Sequence, residues 1–243
     1  MEDRTSRTRR VVGARALKTL EEKTVAVFGL GGVGGNVCDA LVRCGVKHFV
    51  LVDNDEVCLS NLNRQLLATL DTVGKAKVDA AEAHLKRIDP SVTVVKKKTF
   101  YLPETAKEFD FASYDYVVDA IDTVTAKIDL AVRCHETGTP LLSALGCGNK
   151  IDPTKLKVCD LFETSYDPLA KVLRRELKKR GVTSQKVVCS TEPPLPPIEE
   201  ADAPKKGAHP APGSTPFVPP VAGILIACEV FKDLTGFDPE NRN

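Results

Sequence analysis

Residues 25 to 35 read VAVFGLGGVGG, and this stretch decides the fold. Val25-Ala26-Val27-Phe28 is a short apolar run rich in β-branched residues, the pattern of a buried strand. It ends on Gly29-Leu30-Gly31-Gly32-Val33-Gly34, a G-x-G-x-x-G pattern. A helical pattern follows at Val37, Leu41 and Val42 and stops near Gly45. A second apolar run, His48-Phe49-Val50-Leu51-Val52, closes on Asp53. Strand, glycine turn, helix, strand and acid thus stand in the order of a nucleotide-binding unit. The glycines let the backbone turn tightly and approach a phosphate. The helix N-terminus behind them presents free N–H groups and the positive end of its dipole. Asp53, beyond the second strand, is placed to accept bonds from ribose hydroxyls. The pattern leaves NAD, FAD and ATP open, and a turn that only packs is the plainer alternative.

The 243-residue sequence suits one large α/β domain or one with an appendage. Its 42% hydrophobic and 28% charged residues are those of a soluble globular protein. A net charge of +1 gives no global case for nucleic-acid binding, so any such role rests on local patches. Eight cysteines contain no C-x-x-C pair, which argues against a zinc ribbon. The opening MEDRTSRTRR has no apolar segment of a signal peptide, so a cytoplasmic setting with free thiols is expected. The late apolar segment from Val221 to Val230 is too short to span a bilayer and carries Glu229. No membrane association is expected.

Outward from the glycine turn, an N-terminal arm carries Arg4, Arg7, Arg9 and Arg10 and runs into a helical pattern through Leu17 and Leu20. The arm reads as a solvated tail. Gly74 begins a helix with Val78, Ala81, Leu85 and Ile88 on one face, stopped by Asp89-Pro90. Val92 to Val95 and Tyr114 to Ala120 read as the third and fourth strands, a helix spans Thr125 to Thr137, and Pro140 to Leu145 is the fifth strand. Such alternation predicts an α/β fold: a doubly wound, mainly parallel Rossmann-like sheet with helices on both faces. A C-terminal strand and helix extension follows. It holds a strand from Lys155 to Phe162, a basic helix from Asp167 to Arg180 and a strand from Lys186 to Cys189. Residues 193–220 contain 10 of the 16 prolines and read as an extended loop; Phe217 to Phe231 returns to apolar helix. The chain is therefore expected to be one domain over 1–243, with an arm and helix at 1–22, a nucleotide-binding core at 23–150 and the extension at 151–243. Lys171, Arg174, Arg175, Lys178, Lys179 and Arg180 face outward on the basic helix with only Glu176 among them. That face is either solvated or a contact for phosphate backbone.

The chemistry departs from that of a dehydrogenase after Asp53. No hydride-transfer set is evident, and there is no Tyr-x-x-x-Lys. Instead the chain offers Asn61-x-x-Arg64-Gln65 and then Gly74-Lys75-Ala76-Lys77. Two amides and two cations just past the ribose carboxylate suit a triphosphate, with Arg64 and Lys77 stabilising charge on a leaving pyrophosphate. Asp122, past the end of the fourth strand, is placed to hold a Mg2+ bridging phosphates. Lys77 is otherwise a solvated helix residue, as Lys75 reads, and Asp122 otherwise a helix N-cap.

The run LVDNDEVCLSNLNRQ at 51–65, with GLGGVGG before it and GKAK and DAIDT after it, resembles the ThiF/MoeB-type adenylyltransferase superfamily, which includes the ubiquitin-activating enzymes. Four further stretches are similar to the tRNA threonylcarbamoyladenosine dehydratases of that superfamily: RRVVGARAL, NRQLLAT, GNKIDPTKLKVCDLFETSYDPLAKVLRRELKKRG and GSTPFVPPVAGILIACEVFKDLTG. The resemblance covers residues 8–192 and the C-terminal helix. It implies that ATP and Mg2+ adenylate the carboxylate of the threonylcarbamoyl group on the tRNA adenosine beside the anticodon, and that ring closure then displaces AMP. In that reading Gly29, Gly31, Gly32 and Gly34 cradle phosphate and Asp53 binds ribose. Asn61, Arg64, Gln65 and Lys77 serve the triphosphate, and Asp122 holds the metal. Arg10 matches an arginine that reaches the neighbouring subunit's ATP, which implies a homodimer. A sulfur-transfer partner is left open. The paired C-x-x-C motifs of the sulfur-carrier activators are missing, and Cys147 and Cys189 are the two cysteines open to a loop-thiol role, with a buried, incidental thiol the plainer reading of each. The proline-rich EADAPKKGAHPAPGS stands where some relatives have a cysteine-rich insertion. Two rival readings remain: adenylation of the C-terminal glycine of a ubiquitin-like sulfur carrier, and a nucleotide-binding scaffold without turnover.

Overall fold

Strands buried on both faces need apolar residues at every position, and the central strands of this chain have them. The computed structural model describes residues 3–165, 167–196, 198 and 212–240; the rest of the proline-rich stretch lies outside the described residues. In chain order the elements are α1 (Ser6–Glu21), β1 (Thr24–Phe28), α2 (Gly34–Cys44), β2 (His48–Val52), α3 (Lys77–Ile88), β3 (Thr93–Lys97), β4 (Tyr116–Asp119), α4 (Val124–Thr137) and β5 (Leu141–Ala144). Then come β6 (Leu156–Asp160), α5 (Pro168–Lys178), β7 (Lys186–Ser190) and α6 (Val218–Thr235). The strands form one seven-stranded sheet in the order β3-β2-β1-β4-β5-β7-β6. All neighbours are parallel except β6 and β7. The strands of the C-terminal extension therefore widen the nucleotide-binding sheet and do not build an appendage.

The two faces are read off β1. Val25 and Val27 point into a core with Leu20 of α1, Val37 and Leu41 of α2, Leu85 of α3 and Ile226 of α6. Ala26 and Phe28 point the other way, into a core with Ala126 and Leu130 of α4. There Phe28 meets Tyr101 edge-on at 5.0 Å and lies 5.3 Å from Phe109 and 6.0 Å from Phe111. Burying each such ring contributes roughly 1.5–3 kcal/mol. Leu173 and Leu177 of α5 extend this second layer beside Val187 and Cys189 of β7. Helices thus cover both faces, as the doubly wound reading requires.

Several boundaries differ from the sequence expectations, each for a local reason. The arginine arm is not a tail: α1 begins at Ser6, with a break at Gly13 (φ 82). Arg4 ties that arm down by donating to the Val42 carbonyl at 2.8 Å and pairing with Asp89. α3 begins at Lys77, not Gly74, because Gly74 sits in a turn at φ +83 and Ala76 still bridges to Glu56. β3 runs two residues further than the apolar run, since its pairing with β2 continues to Val52↔Lys97. α6 starts at Val218, so Pro219 and Pro220 belong to its first turn, where no N–H is needed. α6 lies close over the start of α2: a Cβ on Gly223 would come within 2.5 Å of the Val33 carbonyl oxygen.

Candidate nucleotide site

After β1 the chain runs outward through β2 to β3 and then returns to the other side of β1 as β4. A crevice opens beyond the carboxyl ends at this reversal. A cleft of about 190 Å³ occupies it, lined by Gly29, Gly31, Asp53, Asp55, Gln65, Lys77 and Asp122 among others.

The four glycines divide into two pairs. Gly29 has φ +89, and a Cβ there would stand 2.6 Å from the Ala120 carbonyl oxygen, so the turn crosses tightly over the end of β4. A Cβ on Gly34 would meet the Gly29 carbonyl oxygen at 1.8 Å, so this residue lets α2 pack onto the turn. Gly31 faces the cleft, with only the Gln65 Nε2 within 4 Å of its added Cβ. Gly32 packs against Pro219 of α6, and neither it nor Gly34 lines the cleft.

Asp53 fastens this turn to β2. Its Oδ2 accepts from the Leu30 N–H at 2.7 Å and its Oδ1 from the Asp55 N–H at 2.9 Å. A carboxylate has about four acceptor positions, so two remain open to a ligand's donors. Burial pushes the Asp53 carboxyl above its ordinary pKa; the nearby Lys77 ammonium and the two N–H donors offset this only in part. Lys77 is 6% exposed. Its Nζ donates to Asp55 Oδ2 at 2.7 Å and stands 3.8 Å from Asp53 Oδ1. Lys75 is exposed on the surface. Of the two lysines in GKAK, the second is therefore the one aimed at the site. Asp122 is exposed on the opposite wall and caps no helix: Thr123 holds the N-cap position of α4.

Behind this wall a buried ion pair fixes the ends of two strands. Lys127 Nζ donates to both oxygens of Asp119 at 3.0 Å and to the Ala144 carbonyl at 2.7 Å. All three ammonium protons are used, the condition under which a buried pair is tolerated.

Three further expected site residues stand outside the cleft. Asn61 Oδ1 accepts from the Cys58 N–H at 3.1 Å, capping a short turn. Arg64 donates to the Ser60 carbonyl at 3.0 Å and to Asn63 Oδ1 at 2.7 Å. Arg10 is exposed on α1. Arg4 fixes the start of its arm to Val42, near the end of α2, at the amino end of the sheet and away from the cleft of its own chain. In contrast Asp55, Thr99 and Phe100 line the cleft and escaped the sequence reading. The last two follow the carboxyl end of β3, so the rule that found Asp53 and Asp122 applies to them too.

Cys147 is not an activated thiol, since burial raises its pKa to about 11. Cys189 is raised to about 12, first by burial and then by Cys159, whose sulfur is 3.5 Å away. On α5 and just past its end, Arg175, Lys179 and Arg180 all reach Glu176, and Arg174 donates to the Thr164 carbonyl at 2.8 Å. The basic face is thus partly neutralised, with Lys171 and Lys178 lacking an ion-pair partner among the described residues. No grouping of three His, Cys, Asp or Glu residues able to hold a metal occurs among the described residues. Asp122 is a single exposed carboxylate on the cleft wall, the kind of donor Mg2+ takes together with substrate phosphates. No helix among the described residues is long and apolar enough to cross a membrane.

The ThiF family model matches residues 4–243. The tRNA threonylcarbamoyladenosine dehydratase of Bacillus subtilis (strain 168) is 41% identical over 237 residues, covering 94% of this chain and 93% of that protein. The crystal structure of the Escherichia coli tRNA N6-threonylcarbamoyladenosine dehydratase in complex with ATP superposes with a TM-score of 0.85 at 32% identity, over 96% of this chain and 94% of that one. The complex of the same protein with AMP gives a TM-score of 0.87 at 32% identity and the same coverage. The chain belongs to the ThiF family and, within it, to the tRNA threonylcarbamoyladenosine dehydratases.

Proposed function

We propose that this protein uses ATP to dehydrate the threonylcarbamoyl group on the tRNA adenosine next to the anticodon, by way of an acyl-adenylate. A carboxylate is a poor electrophile; joined to AMP it becomes a good one, and the ureido group of the same substituent then closes the ring. Pyrophosphate leaves in the first step and AMP in the second. The observation that carries this reading is the buried Lys77 ammonium held between Asp53 and Asp55 beside the glycine turn. In that position it is preorganised to meet charge developing on pyrophosphate. Gly31 supplies backbone at the phosphates, Asp53 the ribose contact, and Gln65 a buried amide on the wall.

Asp122 and its neighbouring phosphates would hold Mg2+. The ion, when bound, would neutralise phosphate charge and make the α-phosphorus more electrophilic. Asn61 and Arg64 adjoin Gln65 and reach the triphosphate if the 59–65 segment closes on it. Arg10 completes the site of the partner in a homodimer. Arg10 is exposed and does not line its own cleft, which supports action in trans, and Leu66, Val221 and Ile224 offer exposed apolar surface for such a contact. Lys171 and Lys178 offer α5 to tRNA phosphates. A tRNA substrate sets the work in the cytoplasm, and a sulfur-transfer partner is not needed for any step. The rival acceptor, the C-terminal glycine of a ubiquitin-like carrier, lacks support here because the C-x-x-C pairs of its activators are missing.

The test is release of AMP and pyrophosphate from ATP by the purified protein, with tRNA that bears or lacks the threonylcarbamoyl group. Release with modified tRNA alone is expected. ADP as product, or release driven by a small ubiquitin-like protein, refutes the assignment.

A further inference from the structure

A second cavity of about 260 Å³ lies one strand further along the same sheet edge, lined by Gly146, Lys150, Asp167, Leu169, Ser190 and Pro194 among others. Asp119 of β4 stands opposite Ser143 of β5. Asp122 follows the first, on the wall of the nucleotide cleft, and Gly146 follows the second, on the wall of this cavity. Neighbouring strands are about 4.8 Å apart. The Lys127–Asp119 pair, which also holds the Ala144 carbonyl, fixes the two strand ends relative to each other.

The walls are mostly apolar, with Pro168, Leu169, Pro194 and Pro212 presenting flat surfaces. Two buried charges stand among them. Lys150 is 6% exposed, and its Nζ donates to the Gly146 carbonyl at 2.8 Å; among the described residues it has no other partner. Asp167 is 9% exposed, and its Oδ1 caps α5 by accepting from the Ala170 N–H at 3.0 Å. Its Oδ2 is directed at Gly146, 3.8 Å from where a Cβ would stand, with no donor among the described residues. Lys150 and Asp167 do not pair with each other. Opposite charges buried side by side without pairing are costly unless a ligand completes them. The nearby Glu192 carboxylate is already engaged by the Ile151 and Asp152 N–H groups.

We propose that this cavity is the acceptor pocket for the modified adenosine, with Lys150 binding the ureido carbonyl and Asp167 acting as the base of ring closure. The inference rests on the dehydratase reading. A purine carrying a carbamoyl amino acid fits the cavity in kind: a flat ring for the proline walls, a carbonyl acceptor for Lys150 and N–H donors for Asp167. Its carboxylate then points along the sheet edge toward Asp122 and the nucleotide. In the second step the ureido group forms a bond to the acyl carbon, and the bond from that carbon to the AMP oxygen breaks. AMP leaves with the electron pair, and one ureido N–H proton passes to Asp167 Oδ2.

Asp167→Asn tests this cleanly, because asparagine caps a helix as well as aspartate does. Two rates are measured on tRNA bearing the threonylcarbamoyl group: ATP–pyrophosphate exchange, which reports adenylation, and formation of the cyclic product. Exchange within about threefold of wild type, with ring closure slowed on the order of 100-fold or more, is the expected result. An equal fall in both rates means that Asp167 only shapes the fold, and an unchanged ring-closure rate means that it is not the base; either result overturns the proposal. Absence of exchange by the wild-type protein refutes the dehydratase reading itself, which separates the two failures. Lys150→Met should raise the concentration of modified tRNA giving half-maximal exchange while leaving that for ATP unchanged. A matching rise for ATP would place Lys150 at the nucleotide and refute its role here.

Discussion

Replacing Lys77 by alanine separates the two lysines of the GKAK run. Lys77 Nζ lies 2.7 Å from Asp55 Oδ2 and 3.8 Å from Asp53 Oδ1. Asp55 is half-exposed, and loss of that contact contributes little. Asp53 has a side chain only 8% exposed. At an effective dielectric constant near 20, unit charges separated by 3.8 Å attract by roughly 4 kcal/mol. The alanine variant therefore removes a charge that lines the cleft and also favours a protonated Asp53, which burial already pushes upward. Loss of one preorganised charge stabiliser costs about 2.7–4 kcal/mol in the transition state, or about 100- to 1000-fold in kcat. Lys75→Ala, on the exposed side of the run, should stay within about twofold of wild type. AMP release under saturating ATP with modified tRNA, measured for both variants, decides the matter. Equal losses in the two variants, or a loss below about tenfold for Lys77→Ala, refute the assignment of Lys77 to the leaving pyrophosphate.

Lys127→Met should lower stability by about 3–5 kcal/mol, because it leaves a fully buried Asp119 carboxylate without its partner. That corresponds to a melting temperature lower by roughly 6–20 °C, mostly recovered in the double variant with Asp119→Asn; a shift under about 3 °C contradicts the pairing. For Asp39, burial pushes the carboxyl up, but hydrogen bonds from His84 and Arg43 outweigh it and hold the pKa at about 2. A carboxyl depressed on folding stabilises above its unfolded value of 3.8, and that stability is lost as pH falls toward about 2. Asp39→Asn should therefore flatten the acid limb of a stability–pH curve between these values, and an unchanged limb rules the contribution out. Arg10→Ala and Asp122→Ala should each be nearly inactive alone. Mixed dimers of the two should regain up to about half of wild-type activity, since one of their two sites carries neither defect. Inactive mixed dimers would return Arg10 to its own subunit.

The nucleotide half of the fold was legible because its signals are local. β1, α2 and β2 follow from apolar runs, a glycine turn and Gly45 at a left-handed helix end. The register of Lys77 followed from resemblance alone; its burial between two carboxylates depends on the Glu56–Ala76 bridge, which no periodicity announces. Asp55 was hidden for the same reason, since it reaches the cleft through a partner 22 positions away. Counting one acid on α5 underestimated neutralisation, because a single carboxylate at Glu176 serves three cations. Lys150 and Asp167 lie on separate loops that meet only once β5 and β7 pair, so neither stood out in the sequence.

The width of the sheet has a consequence for how these molecules behave toward one another. A parallel sheet that stays open ends in two strands with unpaired backbone groups, and such rims can template fibres. Here the outer strands are β3 and β6; lysines cluster at the end of β3, and β6 carries one. Lys96 is held by Asp79 and Glu82, Lys97 lies 5.9 Å over the Phe109 ring, and Lys98 pairs with Glu56. Lys157 stands on the opposite rim. A strand arriving from another molecule must displace or bury these ammonium groups, so each molecule resists edge-to-edge polymerisation. An enzyme that lines up two pockets along one broad sheet needs such guarded margins to remain dispersed in a crowded cell.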